Sequence, residues 1–493
     1  MTSIPASSLT AGIARPVPAV DLEAMPLVVD LDGTLVATDT LHEGFWRALR
    51  HAPVEALKAL GALALRWDKA RFKAAIAQAA GPMDPHTLPY RPEILELLAD
   101  ARRQARPIIL ATGAHRAIAG PVAEYLGGFD AVLATDEVNL TGGRKLARIQ
   151  EYVHGQPFAY VGNSFEDLPI WHASRQALSV AAGPRLLRAV GAAAADHRAI
   201  SVARPSLWQT IPRQLRVHQW TKNGLVFLPA LAAHRLLDGE VLARSAIAAL
   251  AFSLLASAIY IVNDLCDLQT DRLHPTKRLR PLAAGTVSVA QGAVLALCCG
   301  LLGVVLGAAL GSPTLAVLGA YATLSLSYSL KLKRVLLFDV AVLAILYCLR
   351  VVAGGVAADI ALSPWMTALM IFEFFGLAMV KRSVELMRVA STTSGRAYRA
   401  TDRPTIRTVG IASTLLGTLV FALYVNDPDI QHLYPHPELL WLAMPVLLYW
   451  SARLWVFEDR GVITDDPLVF VATDRVSWLA GFVIGAVLFA ASR

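Results

Sequence analysis

Residues 263–271 read N-D-L-C-D-L-Q-T-D and directly follow a long apolar run in the second half of this chain. Asn263, Asp267 and Asp271 are spaced four residues apart, so on a helix they form one acidic stripe, with Asp264 beside it. Carboxylates crowded at the end of a membrane helix repel one another and resist the loss of water. A divalent cation would relieve that repulsion, since Mg²⁺ is bound jointly by carboxylates and substrate phosphates. The alternative is a solvated helix end with ordinary charges.

Cations follow the acidic stripe directly. Residues 274–282 read H-P-T-K-R-L-R-P-L and contain Lys277, Arg278 and Arg280. A metal held by acids beside cations can bind a diphosphate, because the metal bridges phosphate oxygens and Lys or Arg neutralises the remaining charge. The pattern therefore predicts a diphosphate site at this helix end.

Long apolar runs on both sides of the stripe predict an all-α transmembrane bundle. The chain has 493 residues, of which 55% are hydrophobic and only 17% charged, a composition that favours a membrane protein. Most of the runs are long enough to cross a hydrocarbon core of roughly 30 Å as helices, and the first is the shortest. We predict about nine spans, at residues 223–236, 242–262, 288–310, 312–330, 335–357, 363–380, 405–425, 438–457 and 474–491.

The distribution of charge predicts the orientation. Residues 1–200 hold 20 Lys and Arg against 20 Asp and Glu, so the whole +7 lies in the second half, between apolar runs, which argues against nucleic acid as a partner. The first 25 residues lack a signal-peptide pattern. With nine spans and a cytosolic N-terminus, every basic loop lies on the cytosolic side. We predict a multi-pass protein of the plasma (inner) membrane, with its N-terminal domain and active sites in the cytosol. The basic loops are 263–287, 331–335 and 381–404, with four, three and six Lys or Arg.

Residues 25–185 have the pattern of a soluble α/β domain. Short apolar runs alternate with charged helical stretches, as in βαβ units. The segment between about residues 39 and 90 is helical in pattern, which indicates an insertion after the first strand. We predict disorder over 1–24, a linker over 186–212 and the transmembrane domain over 213–493. The predicted strands are Leu27–Val29, Ile108–Leu110, Ala131–Leu133 and Phe158–Val161.

The transmembrane half resembles the UbiA prenyltransferase superfamily over roughly residues 213–491. The resemblance rests on N-D-x-x-D-x-x-x-D followed by K-R-x-R-P-L at a helix end. Most members carry a second aspartate-rich motif after the sixth span, whereas here the loop 381–404 has six cations and no D-x-x-x-D. That departure is similar to the decaprenyl-phosphate phosphoribosyltransferase branch. Further matches to this branch are Q-W-T-K-N at 219–223, R-V-V-A-G-G at 350–355, and Tyr328 followed by Lys333.

This resemblance implies a Mg²⁺-dependent transfer of phosphoribose from phosphoribosyl diphosphate (PRPP) to a polyprenyl phosphate. The acidic and basic motifs of the chain fit these substrates. The donor has one diphosphate that a metal could hold, while the 5-phosphate of the donor and the phosphate of the lipid each need cations. Lone Arg350 is either a phosphate partner or part of a structural ion pair, and Lys222 is either a site residue or an interfacial cation. By motif match, Asn263, Asp264, Asp267 and Asp271 would serve the metal and diphosphate, and Lys277, Arg278, Arg280, Tyr328, Lys333, Arg350, Lys381 and Arg382 would bind phosphate groups.

The N-terminal half resembles haloacid dehalogenase-like phosphatases, which have a Rossmann-like fold, through V-V-D-L-D-G-T-L at residues 28–35. The resemblance implies that Asp30 is the nucleophile and Asp32 the general acid and base, with Thr112 and Lys145 as further catalytic residues. The helical insertion would be a cap. Mg²⁺ would be held by Asp30, Asp32, Asn163 and Asp167.

Asn163 departs from the phosphatase pattern, because that family usually has an acid at this position. An amide oxygen can ligate Mg²⁺ but brings no charge, so the metal affinity should fall. The domain is therefore either an active phosphatase or a weakened docking or regulatory module.

Three functions stay open for the whole chain. The first is a phosphoribosyltransferase whose attached domain removes the 5-phosphate. The second is a UbiA enzyme that joins a prenyl diphosphate to an aromatic or other acceptor, which the missing acids in the loop 381–404 disfavour. The third is a membrane-anchored phosphatase with a scaffold bundle, which the intact acidic stripe disfavours.

Overall fold

The computed structural model describes residues 25–66, 68–202, 206–388, 397–428, 434–463 and 466–493. The predicted disorder over 1–24 lies outside these residues. The chain divides into two compact units, one built mainly from residues up to 204 and one mainly from residues after it.

The N-terminal unit is built on a six-stranded parallel sheet with strand order β3-β2-β1-β4-β5-β6. All four predicted strands are present, and β5 and β6 were not predicted. Because β6 belongs to the sheet, the boundary predicted at residue 185 was too early, and the predicted linker contains sheet structure. The strands are β1 Leu27–Val29, β2 Ile108–His115, β3 Ala131–Thr135, β4 Ala159–Gly162, β5 Gln176–Val180 and β6 His197–Ile200.

Helices cover both faces of the sheet, and three more form the insertion after β1. Residues 27–29 are fully buried, as expected for a central parallel strand with both faces covered. Asp39 begins α1 by accepting a hydrogen bond from the His42 backbone, and Asp68 caps α3 in the same way through Arg71. The predicted helical insertion is therefore confirmed. The helices are α1 Thr40–His51, α2 Pro53–Arg66, α3 Lys69–Ala80, α4 Pro92–Arg103, α5 Arg116–Leu126, α6 Gly142–Tyr152, α7 Leu168–Ala173 and α8 Pro184–Ala193.

The second unit is an all-α bundle, as predicted. In the part of the chain that the structure describes, six helices are long and apolar enough to cross a membrane, or seven if α19 and α20, which are bent by 77°, count as one span. The prediction of about nine spans is not matched. The helices are α9 Leu207–Gln214, α10 Leu228–Ala232, α11 Gly239–Cys266, α12 Leu268–Leu273, α13 Val289–Ala309, α14 Ser312–Leu330, α15 Phe338–Ala358, α16 Pro364–Arg388, α17 Arg403–Val425, α18 Ala443–Asp459, α19 Pro467–Thr473 and α20 Arg475–Ala491.

The first predicted span, 223–236, is not one long α-helix. It consists of part of the 3₁₀ helix Val217–Phe227, then the short α10 and a turn. This segment nevertheless follows α11 in the opposite direction, as its contacts show. Arg216 pairs with Asp264 near the end of α11, and further contacts, namely Trp220 with Ser257, Asn223 with Ser253 and Ala230 with Val241, step back towards its start.

Gly354 on α15 lets this 3₁₀ segment pack closely. A Cβ atom at this position would lie 1.9 Å from the Val226 carbonyl oxygen. Any side chain would therefore push the segment away from α15. The glycine belongs to the R-V-V-A-G-G match, so part of that motif serves helix packing.

Candidate functional site

The phosphatase-like site lies where the parallel strands end at their carboxyl edge, the usual position for ligands in such sheets. Asp30 directly follows β1 and is 7% exposed. Lys145 of α6 places its Nζ 3.3 Å from Asp30 Oδ1 and 2.9 Å from Asp167 Oδ1. The structure thus brings the predicted nucleophile, lysine and acid together, and the carboxylates raise the pKa of the Lys145 ammonium against the opposing effect of its burial.

Asp167 uses both carboxylate oxygens within the protein. Its Oδ1 accepts a hydrogen bond of 2.7 Å from the buried Tyr160 hydroxyl as well as one from Lys145. Its Oδ2 accepts from the backbone nitrogens of Asn163 and Ser164, both at 3.1 Å, and from the Ser164 hydroxyl. A carboxylate has about four lone-pair sites, so Asp167 is fully used as an anchor for Lys145 and for the loop after β4. Its role as a metal ligand stays a prediction.

Asn163 lies against the loop that carries Asp30 and Asp32. Thr34 donates a hydrogen bond of 3.2 Å to Asn163 Oδ1. Gly33 has a positive φ of 71°, and a Cβ there would lie 2.1 Å from Asn163 Nδ2. Glycine is therefore required both by the backbone and by the space that Asn163 occupies.

The electrostatics of this loop fit a bound cation. Burial, opposed by Lys145, raises the pKa of Asp30 to about 6. Burial, together with repulsion from Asp39 and Asp30, raises the pKa of Asp32 to about 8. These carboxylates with the Asn163 amide form a hard oxygen donor set, which suits Mg²⁺. Among the described residues, no group of three or more His, Cys, Asp or Glu side chains forms a complete metal site, so Asn163 and substrate oxygens would have to complete this one.

Two further residues border this site. Thr112 is fully buried, and its hydroxyl accepts a hydrogen bond of 3.0 Å from the Ala114 backbone. Lys73 of the cap helix α3 donates 2.6 Å to the Gly113 carbonyl and 2.7 Å to Asn139 Oδ1. Lys73 was not predicted as a site residue, because the helical pattern of the insertion does not show which face of α3 packs against the domain that carries the sheet.

We expect the stability of the metal-free chain to fall as pH rises, and Asp32→Asn to flatten that slope. The pKa of Asp32 is raised in the folded state from 3.8 to about 8, so its contribution is fully present below about pH 4 and is lost as pH rises through about 8. Thermal unfolding of the full chain in chelator at pH 6 and pH 9 measures the effect, with about 2–4 °C expected for each kcal/mol in a domain of this size. Millimolar Mg²⁺ should reduce the slope. Equal slopes for wild type and variant would contradict the assignment.

The acidic stripe of the second unit spans a break between two helices. α11 ends at Cys266, Asp267 is the residue at the break, and α12 begins at Leu268. The Asp271 backbone nitrogen still donates 2.9 Å to the Asp267 carbonyl, so the helical spacing of the stripe is largely kept. The predicted helix end is therefore real, and a short break at Asp267 lies within it.

Arginines compensate part of the stripe. Asp264 and Asp271 are buried, and Arg280 Nη1 lies 3.1 Å from Asp264 Oδ1 and 2.5 Å from Asp271 Oδ2. Arg216, which the sequence analysis did not select, also pairs with Asp264. The predicted contact between acids and the following cations is thus present for Arg280.

Asn263 and Asp267 complete the stripe and are half-buried. Asn263 Nδ2 donates 2.9 Å to the Ser329 hydroxyl, which leaves its amide oxygen to act as a ligand. Since Mg²⁺ takes one or two carboxylates and fills the remaining positions with substrate phosphates and water, Asn263, Asp267 and Asp271 fit such an ion bound together with a diphosphate.

The cations of the loop 381–404 are not one phosphate-binding set. Arg382 is 1% exposed and pairs with Asp339 and Glu385, while Arg403 lies 3.1 Å from both Glu458 and Asp459. Buried pairs of this kind hold helices together and leave little charge for a ligand. The structure therefore does not support the prediction that Arg382 binds a phosphate group, and Arg396 lies outside the described residues.

Lys381 has a different environment, because it shares a carboxylate with Lys222. Lys222 Nζ lies 2.5 Å and Lys381 Nζ 3.1 Å from Asp466 Oδ2. Asp466 was missed by the sequence analysis, since it lies 85 residues after Lys381 in an ordinary-looking loop. Lys222, which was left undecided, is thus buried inside the bundle and is no interfacial cation.

Arg350 lies in an aromatic cage. Its guanidinium carbon is 5.2 Å from the ring centres of Phe252 and Tyr321 and 5.6 Å from that of Tyr347, and its Nε donates 3.0 Å to Asn223. In the part of the chain that the structure describes, no carboxylate contacts Arg350. The alternative of a structural ion pair is therefore not supported.

The remaining predicted residues lie around this region without defined phosphate geometry. Tyr328 packs between two cores of the bundle and precedes Ser329, the partner of Asn263. Lys333 is half-buried in a short 3₁₀ turn, and Lys277 and Arg278 are exposed. Their phosphate-binding roles stay predictions.

Comparison with known proteins supports the family resemblance of each half of the chain. The model of the UbiA prenyltransferase family matches residues 225–460, and that of the haloacid dehalogenase-like hydrolases matches residues 27–172. The chain is 36% identical over 470 residues to uncharacterized protein y4nM of Sinorhizobium fredii, covering 94% of this chain and 90% of that protein.

Two further relatives each match just over half of this chain. Nodulation protein NoeC of Azorhizobium caulinodans is 32% identical over 55% of this chain and 90% of its own length. Decaprenyl-phosphate phosphoribosyltransferase of Mycobacterium tuberculosis is 36% identical over 55% of this chain and 92% of its own length. The chain therefore belongs to the UbiA prenyltransferase family, as an integral membrane protein that also carries a haloacid dehalogenase-like domain in its N-terminal half.

Proposed function

We propose that this chain transfers 5-phosphoribose from PRPP to a polyprenyl phosphate, and that its haloacid dehalogenase-like domain removes the 5-phosphate. The observation that carries the proposal is the end of α16, where a prenyl diphosphate would need a second acidic motif and this chain has Lys381. The relative named as a decaprenyl-phosphate phosphoribosyltransferase supports the same substrates.

The acidic stripe would hold the donor. Mg²⁺ bound by Asn263, Asp267 and Asp271 would neutralise charge on the diphosphate. Arg280, already placed beside Asp264 and Asp271, would stabilise the diphosphate as it leaves. An oxygen of the lipid phosphate attacks the anomeric carbon of the ribose, the bond from that carbon to the diphosphate oxygen breaks, and its electron pair leaves with diphosphate.

The phosphatase step would use the first site. Asp30 attacks the phosphorus of the 5-phosphate, and the bond from phosphorus to the ribose oxygen breaks. Asp32 donates a proton to that oxygen. Water then hydrolyses the aspartyl phosphate while Asp32 takes up a proton. Lys145 remains beside Asp30 and balances the phosphoryl charge.

We also propose that the protein lies in the plasma membrane. Its basic loops and both sites would face the cytosol. The 3₁₀ segment supports this, because it runs along α11 in the opposite direction and lies where the first span was predicted. The loops between α11 and α13, α14 and α15, and α16 and α17 then stay on the side expected for basic residues.

The test of the proposal is incubation of the purified chain with PRPP labelled in the ribose and with polyprenyl phosphates of several lengths. We expect label to enter the lipid fraction, and no lipid product from a prenyl diphosphate with an aromatic acid. The opposite pattern would establish the alternative, a UbiA enzyme that transfers the prenyl group. Release of phosphate without phosphoribosyl transfer or prenyl transfer would indicate a membrane-anchored phosphatase.

A further inference from the structure

A cluster of three cations and one carboxylate lies buried inside the membrane bundle. We define the cation cluster as Lys222, Lys381 and Arg350. Lys222 and Asp466 are each 7% exposed, and both lysines approach the same oxygen of Asp466. The Tyr347 hydroxyl lies 3.4 Å from that carboxylate, and the Tyr347 ring lies 5.6 Å from the guanidinium of Arg350. Tyr347 therefore lies between Arg350 and Asp466, the carboxylate that both lysines approach.

This arrangement has more positive charge than its own acid can neutralise. Three cations against Asp466 leave a formal surplus of two charges, since no carboxylate contacts Arg350 in the part of the chain that the structure describes. Unpaired charge in an apolar bundle is costly. Packing offers no reason to keep it, as neutral side chains could fill the same volume. A phosphate monoester, with up to two negative charges and three acceptor oxygens, would balance the surplus.

We infer that the cation cluster binds the phosphate of the lipid acceptor and that Asp466 occupies the position of that phosphate until the lipid arrives. The identity of the acceptor rests on the proposed function. Arrival of the phosphate would transfer Lys222 and Lys381 from the Asp466 carboxylate to phosphate oxygens. Asp466 is thus an internal competitor of the acceptor.

The surroundings favour a lipid phosphate over the 5-phosphate of the donor. The cluster is lined by the rings of Phe252, Tyr321 and Tyr347, and Phe374 packs on Tyr347 with ring centres 5.7 Å apart. Such walls suit a head group attached to an apolar chain. The water-soluble donor instead has the acidic stripe, which begins near the end of α11 at Asn263, eleven residues beyond Phe252.

Asp466 can be changed without loss of its structural role. Its Oδ1 accepts a hydrogen bond of 3.1 Å from the Leu468 backbone and so caps α19. Asparagine caps helices about as well as aspartate but brings no charge. Asp474 provides a matched control, because it caps α20 through Ser477 and pairs with Arg453, at 2.7 Å, outside the cation cluster.

The experiment measures binding of a fluorescent polyprenyl phosphate to the full chain in detergent without donor. We expect Asp466→Asn to tighten binding about tenfold, the effect of removing one competing charge, and Asp474→Asn to leave it unchanged. Lys222→Gln should weaken binding by a similar factor. The Kd for PRPP should be the same in all three variants.

Equal lipid affinity in wild type and Asp466→Asn, or equal shifts in both aspartate variants, would overturn the inference. A change confined to the Kd for PRPP would assign the cluster to the donor's 5-phosphate and would overturn it as well. Failure of the proposed function has a different signature. In that case the chain would not transfer phosphoribose, while lipid phosphate binding would still report on Asp466.

Discussion

Asp267→Asn should lower phosphoribosyl transfer about a hundredfold to a thousandfold while the protein stays inserted in the membrane, a loss of the size seen when a group that stabilises transition-state charge is removed. Asp267 lies at the break between α11 and α12, midway along the stripe. Asparagine keeps the shape of the side chain and removes the charge that a metal-held diphosphate requires. Asp264 and Asp271 are less suitable targets, because they also pair with Arg280.

The measurement is the initial rate with labelled PRPP in purified, monodisperse protein. Asp238→Asn is the matched control, since Asp238 caps the other end of α11 and should remain nearly fully active after the change. An excess of chelator should reproduce the loss in the wild type, and Mg²⁺ should restore it. Full activity of Asp267→Asn, or of the wild type in chelator, would contradict a role for a metal ion in the transfer reaction.

Asp30→Asn should stop release of the 5-phosphate and leave transfer within about twofold of wild type. Removal of a catalytic nucleophile costs at least about a thousandfold, and Asp30 is the carboxylate next to Lys145 at the end of β1. The wild-type chain should therefore release inorganic phosphate from its own lipid product, and the variant should accumulate phosphorylated lipid. Mass spectrometry of the lipid fraction distinguishes the two products.

The control for this change is Asp136→Asn, which alters an exposed aspartate that pairs with Arg116. It should behave as wild type. If wild type and Asp30→Asn gave the same phosphorylated lipid and the same phosphate release, the domain would be a docking or regulatory module. Asn163 in place of an acid would then be the trace of its lost catalysis.

The local patterns of the sequence predicted the two folds well. The strand before Asp30 and the helix that carries the acidic stripe depend on neighbouring residues, so alternation and four-residue spacing reveal them. The last strand, His197–Ile200, was missed because it is short and partly exposed, without a continuous apolar run. The first membrane run was apolar enough to notice, but hydrophobicity alone does not distinguish a 3₁₀ segment from an α-helix.

The charge partners in the membrane half could not be predicted from local patterns. Arg382 pairs with Asp339, 43 residues earlier, and Lys222 pairs with Asp466, 244 residues later. Such contacts depend on how the helices pack, and a cluster of cations in one loop gives no sign of acids from elsewhere. The sequence therefore indicated where positive charge is concentrated. It did not show that acids of the protein already pair with several of these cations, which leaves fewer of them to bind a substrate.

The aromatic cage of Arg350 also bears on how the protein is made. A charged arginine in the middle of a helix costs about 2.5–3.5 kcal/mol when the helix enters the bilayer alone. In the described part of the chain, the residues that hydrogen-bond to Arg350 or stack against it precede it, namely Asn223, Phe252, Tyr321, Leu346 and Tyr347. A ribosome will have delivered all of these partners to the membrane by the time α15 leaves the insertion machinery. The first helices of the bundle can thus assemble around this charge during synthesis, before α16 to α20 exist.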